Sequence, residues 1–389
     1  MTRLVRRMQG FGTTIFAEMS ALAVATGSVN LGQGFPDTDG PASMLEEHAR
    51  GLRNGLNQYP PGPGVPALRQ AVARHQEQHY GVALDPDTQV LVTVGATEAI
   101  ASALLAVVEP GDEVLLVEPY YDSYAASVAL AGGVRRSVPL RRTPDGFRWD
   151  VPALRAAVSA RTRVLVLNSP HNPTGAVLTA GELAAVAALC VEHDLLVISD
   201  EVYEHLVFDR LPHVPIATLP GMAGRTVTIS SAGKSFSATG WKTGWVTGTP
   251  DLVRAVQTVK QFLTFTAHGA AQTAVAHALD HEMPWVAALS AALESKRDLL
   301  SDGLRTTGLE VLRSQGTYFV QADVAALGWS SGSEFARALP DRAGVVCIPP
   351  EVFCDGDVGR TLVRFAFCKQ DAVLEEAVTR LAKADLQRA

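Results

Sequence analysis

Cysteine is scarce in this chain. Cys190, Cys347, Cys354 and Cys368 are the four among 389 residues, and none forms a C-x-x-C pair or sits by a histidine cluster. That spacing excludes a disulfide framework and a cysteine zinc site, no metal is expected, and a reducing cytoplasm is the natural setting. Long apolar runs are missing too: none approaches the roughly 20 residues of a membrane span. The first residues, MTRLVRRMQGFG, carry three arginines but then polar residues and glycine where a secretion signal needs an apolar stretch. A basic block is also absent. Lysine and arginine total 33 against 40 acidic residues, a net charge of −7, which argues against nucleic acid as a partner. No repeat or low-complexity tract is visible. The expectation is a soluble cytoplasmic protein.

What is present is an ordinary globular composition, 47% hydrophobic and 19% charged. The length favours two domains. Through the middle, short apolar runs at 89–95, 113–119, 163–169, 195–200 and 225–231 alternate with segments long enough for crossover helices. The runs are nearly continuous, not alternating, as in strands whose two faces are both covered by helices. The pattern predicts an α/β fold with a mostly parallel sheet over 46–285. Residues 1–45 and 286–389 read as a smaller α+β domain built from both termini. Gly95, Glu118, Asn168, Asp200 and Ser231 fall at or next to the ends of the five runs. Ligands of open α/β sheets bind at the carboxyl ends of strands, so a site is expected there.

The stretch TISSAGKSFSATGWKTGWVTG (228–248) places two lysines, Lys234 and Lys242, eight positions apart. A Walker phosphate loop would need glycine at Thr228, so AGKS fails that pattern. A dinucleotide fingerprint forced onto GPGVPA (62–67) fails because NQYPP, not a strand, precedes it. A third chemistry is imine formation with pyridoxal phosphate. It requires an amine, a carboxylate facing the pyridine nitrogen, phosphate donors and a residue covering the ring. Asp200 ends an apolar strand, where an unpartnered carboxylate is costly, so a buried partner is expected. Tyr203 follows three positions later, and Lys234 lies at the next strand end.

SDEVYEHL followed by SSAGKSFSATGWKTGW, together with SPHNPTGAV (169–177) and NLGQGFPD (30–37), resembles the class I/II aminotransferases, pyridoxal phosphate enzymes of fold type I. The likeness runs from about Gly12 to Lys369. It is nearest to the kynurenine aminotransferase, glutamine transaminase K and methionine aminotransferase group, with actinobacterial-type N-succinyldiaminopimelate aminotransferases close by. The resemblance implies that Lys234 forms the Schiff base and carries the Cα proton, that Asp200 faces the ring nitrogen, and that Tyr203 meets the ring hydroxyl. Ser231, Lys242 (where the family usually has arginine) and the helix start Gly95-Ala96-Thr97 would hold the phosphate. Asn172 would meet cofactor and substrate, Tyr121 would stack on the ring with Tyr120 as its rival, and Arg364 would grip the substrate α-carboxylate. Gly34 would allow close backbone approach to substrate, with Phe16 walling the side-chain pocket. From the partner subunit, Tyr59 would reach the cofactor phosphate and Phe265 would add a second aromatic wall to the substrate pocket, making the protein a homodimer with shared sites.

The activity so implied is transfer of an amino group between an L-amino acid and a 2-oxo acid, with kynurenine, glutamine, methionine or aromatic donors. Alternatives are N-succinyldiaminopimelate as substrate, or a carbon–sulfur β-lyase that releases pyruvate and ammonia without an acceptor. A non-catalytic cofactor-binding regulator is disfavoured, because the chain has no basic helix-turn-helix extension.

Overall fold

In a computed structural model, residues 4–388 are described. A seven-stranded sheet forms the centre, ordered in space as Val90–Thr93, Gly244–Thr247, Thr226–Ser231, Leu196–Asp200, Thr162–Asn168, Glu113–Glu118 and Val134–Pro139. Gly244–Thr247 is antiparallel to both neighbours and the other adjacent pairs are parallel. The five strands anticipated from apolar runs all form. All but one of their residues are buried or nearly so, because helices cover both faces. Two strands carry no such signal. Val134–Pro139 is an edge strand with arginines facing solvent, and Gly244–Thr247 is a four-residue run bounded by glycines.

Helix limits follow local chemistry. Thr179 and Glu182 make a reciprocal capping box at the start of Ala180–Glu192. Thr14 caps Ile15–Thr26, which stops at Gly27 in the left-handed region.

The chain's two ends share one apolar core. It gathers Ile15, Met19 and Leu31 with Leu300, Phe335, Val346, Phe365 and Leu374, and it also takes in Tyr203 and Phe208. Here a three-stranded antiparallel sheet joins Glu310–Val311, Phe319–Asp323 and Leu362–Ala366. Val29–Asn30 pairs with Val345–Val346, and the Ala366 amide donates to the Leu31 carbonyl at 2.7 Å. These pairings bring residues 30–35 beside Arg364. No described helix is long and apolar enough to cross a membrane.

Candidate active site

A cavity of about 310 Å³ opens at the carboxyl ends of the central strands and is closed on one side by residues from the two chain ends. Asp200, Ser231 and Asn168 enter it from three strand ends, with Gly95, Ala96 and Thr97 from the first turn of Gly95–Val107. Glu118, the remaining strand end, departs from expectation. Its carboxylate accepts the amides of Asp355 (2.8 Å) and Gly356 (3.2 Å), so it ties a loop to the sheet and does not line the cavity.

Asp200 is buried, and burial raises its pKa to about 6. Three contacts hold it: the Tyr124 hydroxyl donates to Oδ2 at 2.6 Å, the Val202 amide to Oδ1 at 3.3 Å, and the Asn168 amide to its carbonyl at 2.8 Å. Asn168 in turn accepts from the Asn172 amide at 2.7 Å, so the two asparagines are fixed relative to the aspartate.

Lys234 lies in the short helix Ala232–Ser235 directly after the strand Thr226–Ser231. Burial lowers its pKa to about 8; Asp200 opposes that shift, whereas Lys242 and Arg364 add to it. Its amine donates to the Tyr318 hydroxyl at 2.7 Å. A lysine in this state supplies neutral amine near neutral pH.

Lys242 adopts φ +52°, a strained conformation for a side chain of its size, and packs over Gly95. Gly95 has φ +73°, and a Cβ there would stand 3.3 Å from the lysine Cε and Nζ. The free amides of a helix start, a lysine and the Ser231 hydroxyl therefore share one end of the cavity, a donor set suited to a phosphate dianion.

At the opposite side Arg364 is wholly buried, which lowers its pKa to about 10. It donates to Asn172 Oδ1 at 3.2 Å and to the Gly32 carbonyl at 3.0 Å, while its Nε has no partner. Its guanidinium lies 3.9 Å over the Phe319 ring and 5.4 Å from that of Phe16. Gly34 is forced here: a Cβ would come within 2.5 Å of Phe319.

Phe16, Gly34, Gly95, Ala96, Thr97, Tyr121, Asn172, Asp200, Tyr203, Ser231, Lys234, Lys242 and Arg364 all line this one cavity. Tyr121 does so and Tyr120 does not; the latter is buried with its hydroxyl 3.2 Å from Asp355. Tyr59 and Phe265 lie outside it, packed edge to face at 5.3 Å, with Tyr59 82% exposed. Sequence reasoning missed Tyr124, Tyr318, Phe319 and Gln33. Tyr124 carried a usable signal, one helical turn beyond Tyr121 on the same strand-end segment. Tyr318 carried none, since it meets Lys234 only through tertiary packing.

A buried carboxylate across from a buried amine, an anion-binding end and a free guanidinium nitrogen fit a phosphorylated, carbonyl-bearing heterocycle and a carboxylate substrate. Fold and cavity together thus define a pyridoxal 5′-phosphate enzyme of fold type I.

The comparisons agree and narrow this. Residues 26–381 match the family "Aminotransferase class I and II". The chain is 54% identical to a probable N-succinyldiaminopimelate aminotransferase of Mycobacterium tuberculosis H37Rv, over 97% of this chain and 98% of that protein. It is 40% identical to the methionine aminotransferase of Escherichia coli K12 (96% and 97%) and 39% identical to mouse kynurenine–oxoglutarate transaminase 3 (96% and 88%). The solved N-succinyldiaminopimelate aminotransferase of M. tuberculosis superposes with a TM-score of 0.96 at 55% identity, covering 98% of this chain and 99% of that one. This chain belongs to the class I and II aminotransferases: it is a pyridoxal phosphate-dependent transaminase acting on amino acids and 2-oxo acids.

Proposed function

We propose that the enzyme transaminates L-amino acids with neutral or apolar side chains, of the kynurenine, glutamine, methionine or aromatic type. The observation that carries this reading is the wall around Arg364, made by Phe16 and Phe319 with Phe35 nearby. Among the described residues, the only Lys or Arg side chains lining the cavity are Lys234, Lys242 and Arg364. With the first two assigned to the cofactor, one cation remains for one carboxylate.

When bound, pyridoxal 5′-phosphate supplies an electrophilic carbon and a ring that accepts the charge left by a departing Cα proton. Lys234 would take that proton as a neutral amine and deliver it two atoms along, at the carbon that had carried the cofactor's carbonyl. Asp200 would face the ring nitrogen and, when ionised, favour its protonated form, while the Tyr124 hydroxyl holds the carboxylate in place. Tyr203 and Asn172 would orient the ring through its hydroxyl, Tyr121 would cover its face, and Ser231, Lys242 and the amides of 95–97 would hold the phosphate. Arg364 fixes the substrate carboxylate bidentately, which aligns the Cα–H bond with Lys234.

We further propose a cytoplasmic homodimer. Exposed Phe262, Leu263, Phe265 and Tyr59 support an apolar contact between copies, through which Tyr59 and Phe265 enter the neighbouring site. In this reading, residues 46–285 form the cofactor-binding domain and the two chain ends form the domain that carries Arg364.

The 54% identity to the mycobacterial relative favours a second reading, N-succinyldiaminopimelate as donor. A panel of donors against several 2-oxo acids, followed by the change in the cofactor's visible absorption, separates the two. Conversion of methionine, glutamine and aromatic donors supports the first reading; exclusive conversion of the succinylated diacid overturns it. Borohydride reduction and peptide mapping test the site itself, the label being expected on Lys234.

A further inference from the structure

Outside the cavity the fold assembles a histidine-rich cluster to which the transamination machinery gives no work. His75 and His79 stand one turn apart at the end of the helix Pro66–Tyr80, with rings 4.6 Å apart. Glu204 and His205 lie in the turn after the strand Leu196–Asp200. The Nε2 atoms of His75 and His205 are 2.7 Å apart, and the rings of His79 and His205 are 5.2 Å apart. Ligand atoms of His75, Glu204 and His205 all fall within 4.8 Å of one another, and none of these residues lines the active-site cavity.

Glu204 makes the cluster unusual. Its residue is 4% exposed, and its carboxylate accepts from the Ser230 hydroxyl. The basic groups that face it are imidazoles, those of His75, His205 and His213, not lysine or arginine. His213 is itself engaged, 2.8 Å from Glu201 Oε2. A buried carboxylate without a strong cation is costly. Two imidazoles meeting nitrogen to nitrogen can share only one proton between them.

We propose that His75, Glu204 and His205 bind a divalent transition-metal cation of the zinc type, with His79 at the exposed side of the site. Two imidazole nitrogens and one carboxylate are a ligand set that zinc accepts, with metal–ligand distances of about 2.0–2.2 Å. A common ion would sit between the imidazoles after small ring rotations and would offset the Glu204 charge. Its role is structural: it ties the helix Pro66–Tyr80 to the turn 201–205, which continues the backbone from Asp200 and includes Tyr203. Sequence spacing gives no hint of this, because His75 and His205 are 130 residues apart.

The test uses the holoenzyme, treated with a chelator and dialysed against Zn²⁺, with metal content measured by mass spectrometry and cofactor by its visible absorption. One zinc per chain is expected, with a higher Tm. His205→Ala and Glu204→Gln should each weaken binding by at least about tenfold while cofactor is retained. Cobalt(II) should give visible ligand-field bands in the parent protein and lose them in both variants. Should Glu204→Gln fail to fold, half-buried His205 and exposed His79 (His79→Ala) carry the test. His277 and His281, whose rings are 4.7 Å apart on another helix, provide the control. Zinc binding that vanishes in His277→Ala and persists in His205→Ala overturns the proposal, as does a parent protein that binds none.

Discussion

The Lys234 amine donates to the Tyr318 hydroxyl at 2.7 Å, and that hydroxyl donates to the Gly34 carbonyl at 2.6 Å. A residue of the short helix that follows the strand Thr226–Ser231 is thereby joined through one phenol to the loop of Gly34, which lines the same cavity. Tyr318 is buried, which raises its pKa well above the ordinary value, so it stays a neutral donor. Its place is to hold the amine whenever Lys234 is free. Tyr318→Phe should leave the cofactor bound and lower kcat about five- to tenfold with little change in KM, the worth of one hydrogen bond of about 1 kcal/mol. An unchanged kcat would remove Tyr318 from this role.

Tyr124 sets a pH dependence. Burial raises the Asp200 pKa to about 6, and the Tyr124 hydrogen bond opposes that rise by favouring the charged form. The proposed role of Asp200 needs the ionised carboxylate, so activity should be present above the Asp200 pKa and decline as pH falls through it. Deleting the hydroxyl in Tyr124→Phe raises that pKa further, and the acid limb of the kcat profile should move to higher pH. A limb that stays in place or moves down contradicts this coupling.

At Arg364 the shape of the cation matters as well as its charge. Arg364→Lys keeps a positive group but loses the planar fork and the stacking on Phe319. The expected loss is about 10- to 100-fold in kcat/KM for amino donors, or about 1.5–3 kcal/mol. Full activity of the lysine variant would mean that the substrate carboxylate binds elsewhere.

Gly95 is tested by adding one methyl group. Gly95→Ala forces a side chain into φ +73° and against Lys242, a strain of about 1–2 kcal/mol. Cofactor affinity, followed by fluorescence during dialysis, should fall about tenfold. Affinity equal to the parent's would place the phosphate away from this turn.

Glu113 offers a stability prediction far from the cavity. Arg136 at 2.9 Å, Ser159 at 2.7 Å and Arg161 at 2.6 Å contact its carboxylate and lower its pKa from the usual 4.5 to about 2. A depressed folded-state pKa means stability that is fully present above about 4.5 and lost as pH falls towards 2. Glu113→Gln should lower Tm near neutral pH and flatten the acid side of the Tm profile. Parallel profiles for the two proteins would contradict the assignment.

The central sheet was legible because its strands are buried on both faces, and an unbroken Val, Ile and Leu run leaves little other choice. Gly244–Thr247 was not, since four residues between glycines carry no periodicity of their own. Lys234 and Arg364 drew their expected roles from the motifs shared with the aminotransferases; Arg364 lies in the middle of the strand Leu362–Ala366. Asp200 could be read because charge at the end of an apolar strand demands a partner or a ligand. Glu118 shows the limit of that argument, as its partners are backbone amides of a distant loop.

By itself the sequence determined the α/β core and the family, because unbroken apolar runs demand burial on both faces and the motifs around Asp200 and Lys234 are local patterns. Tertiary structure alone decided the relations across the chain. It chose Tyr121 over Tyr120 for the cavity, set Tyr318 against Lys234, laid Phe16 beside Arg364 and brought His75 to His205. Those contacts join residues far apart in the chain, so they exist only once the packed core has fixed where each element lies.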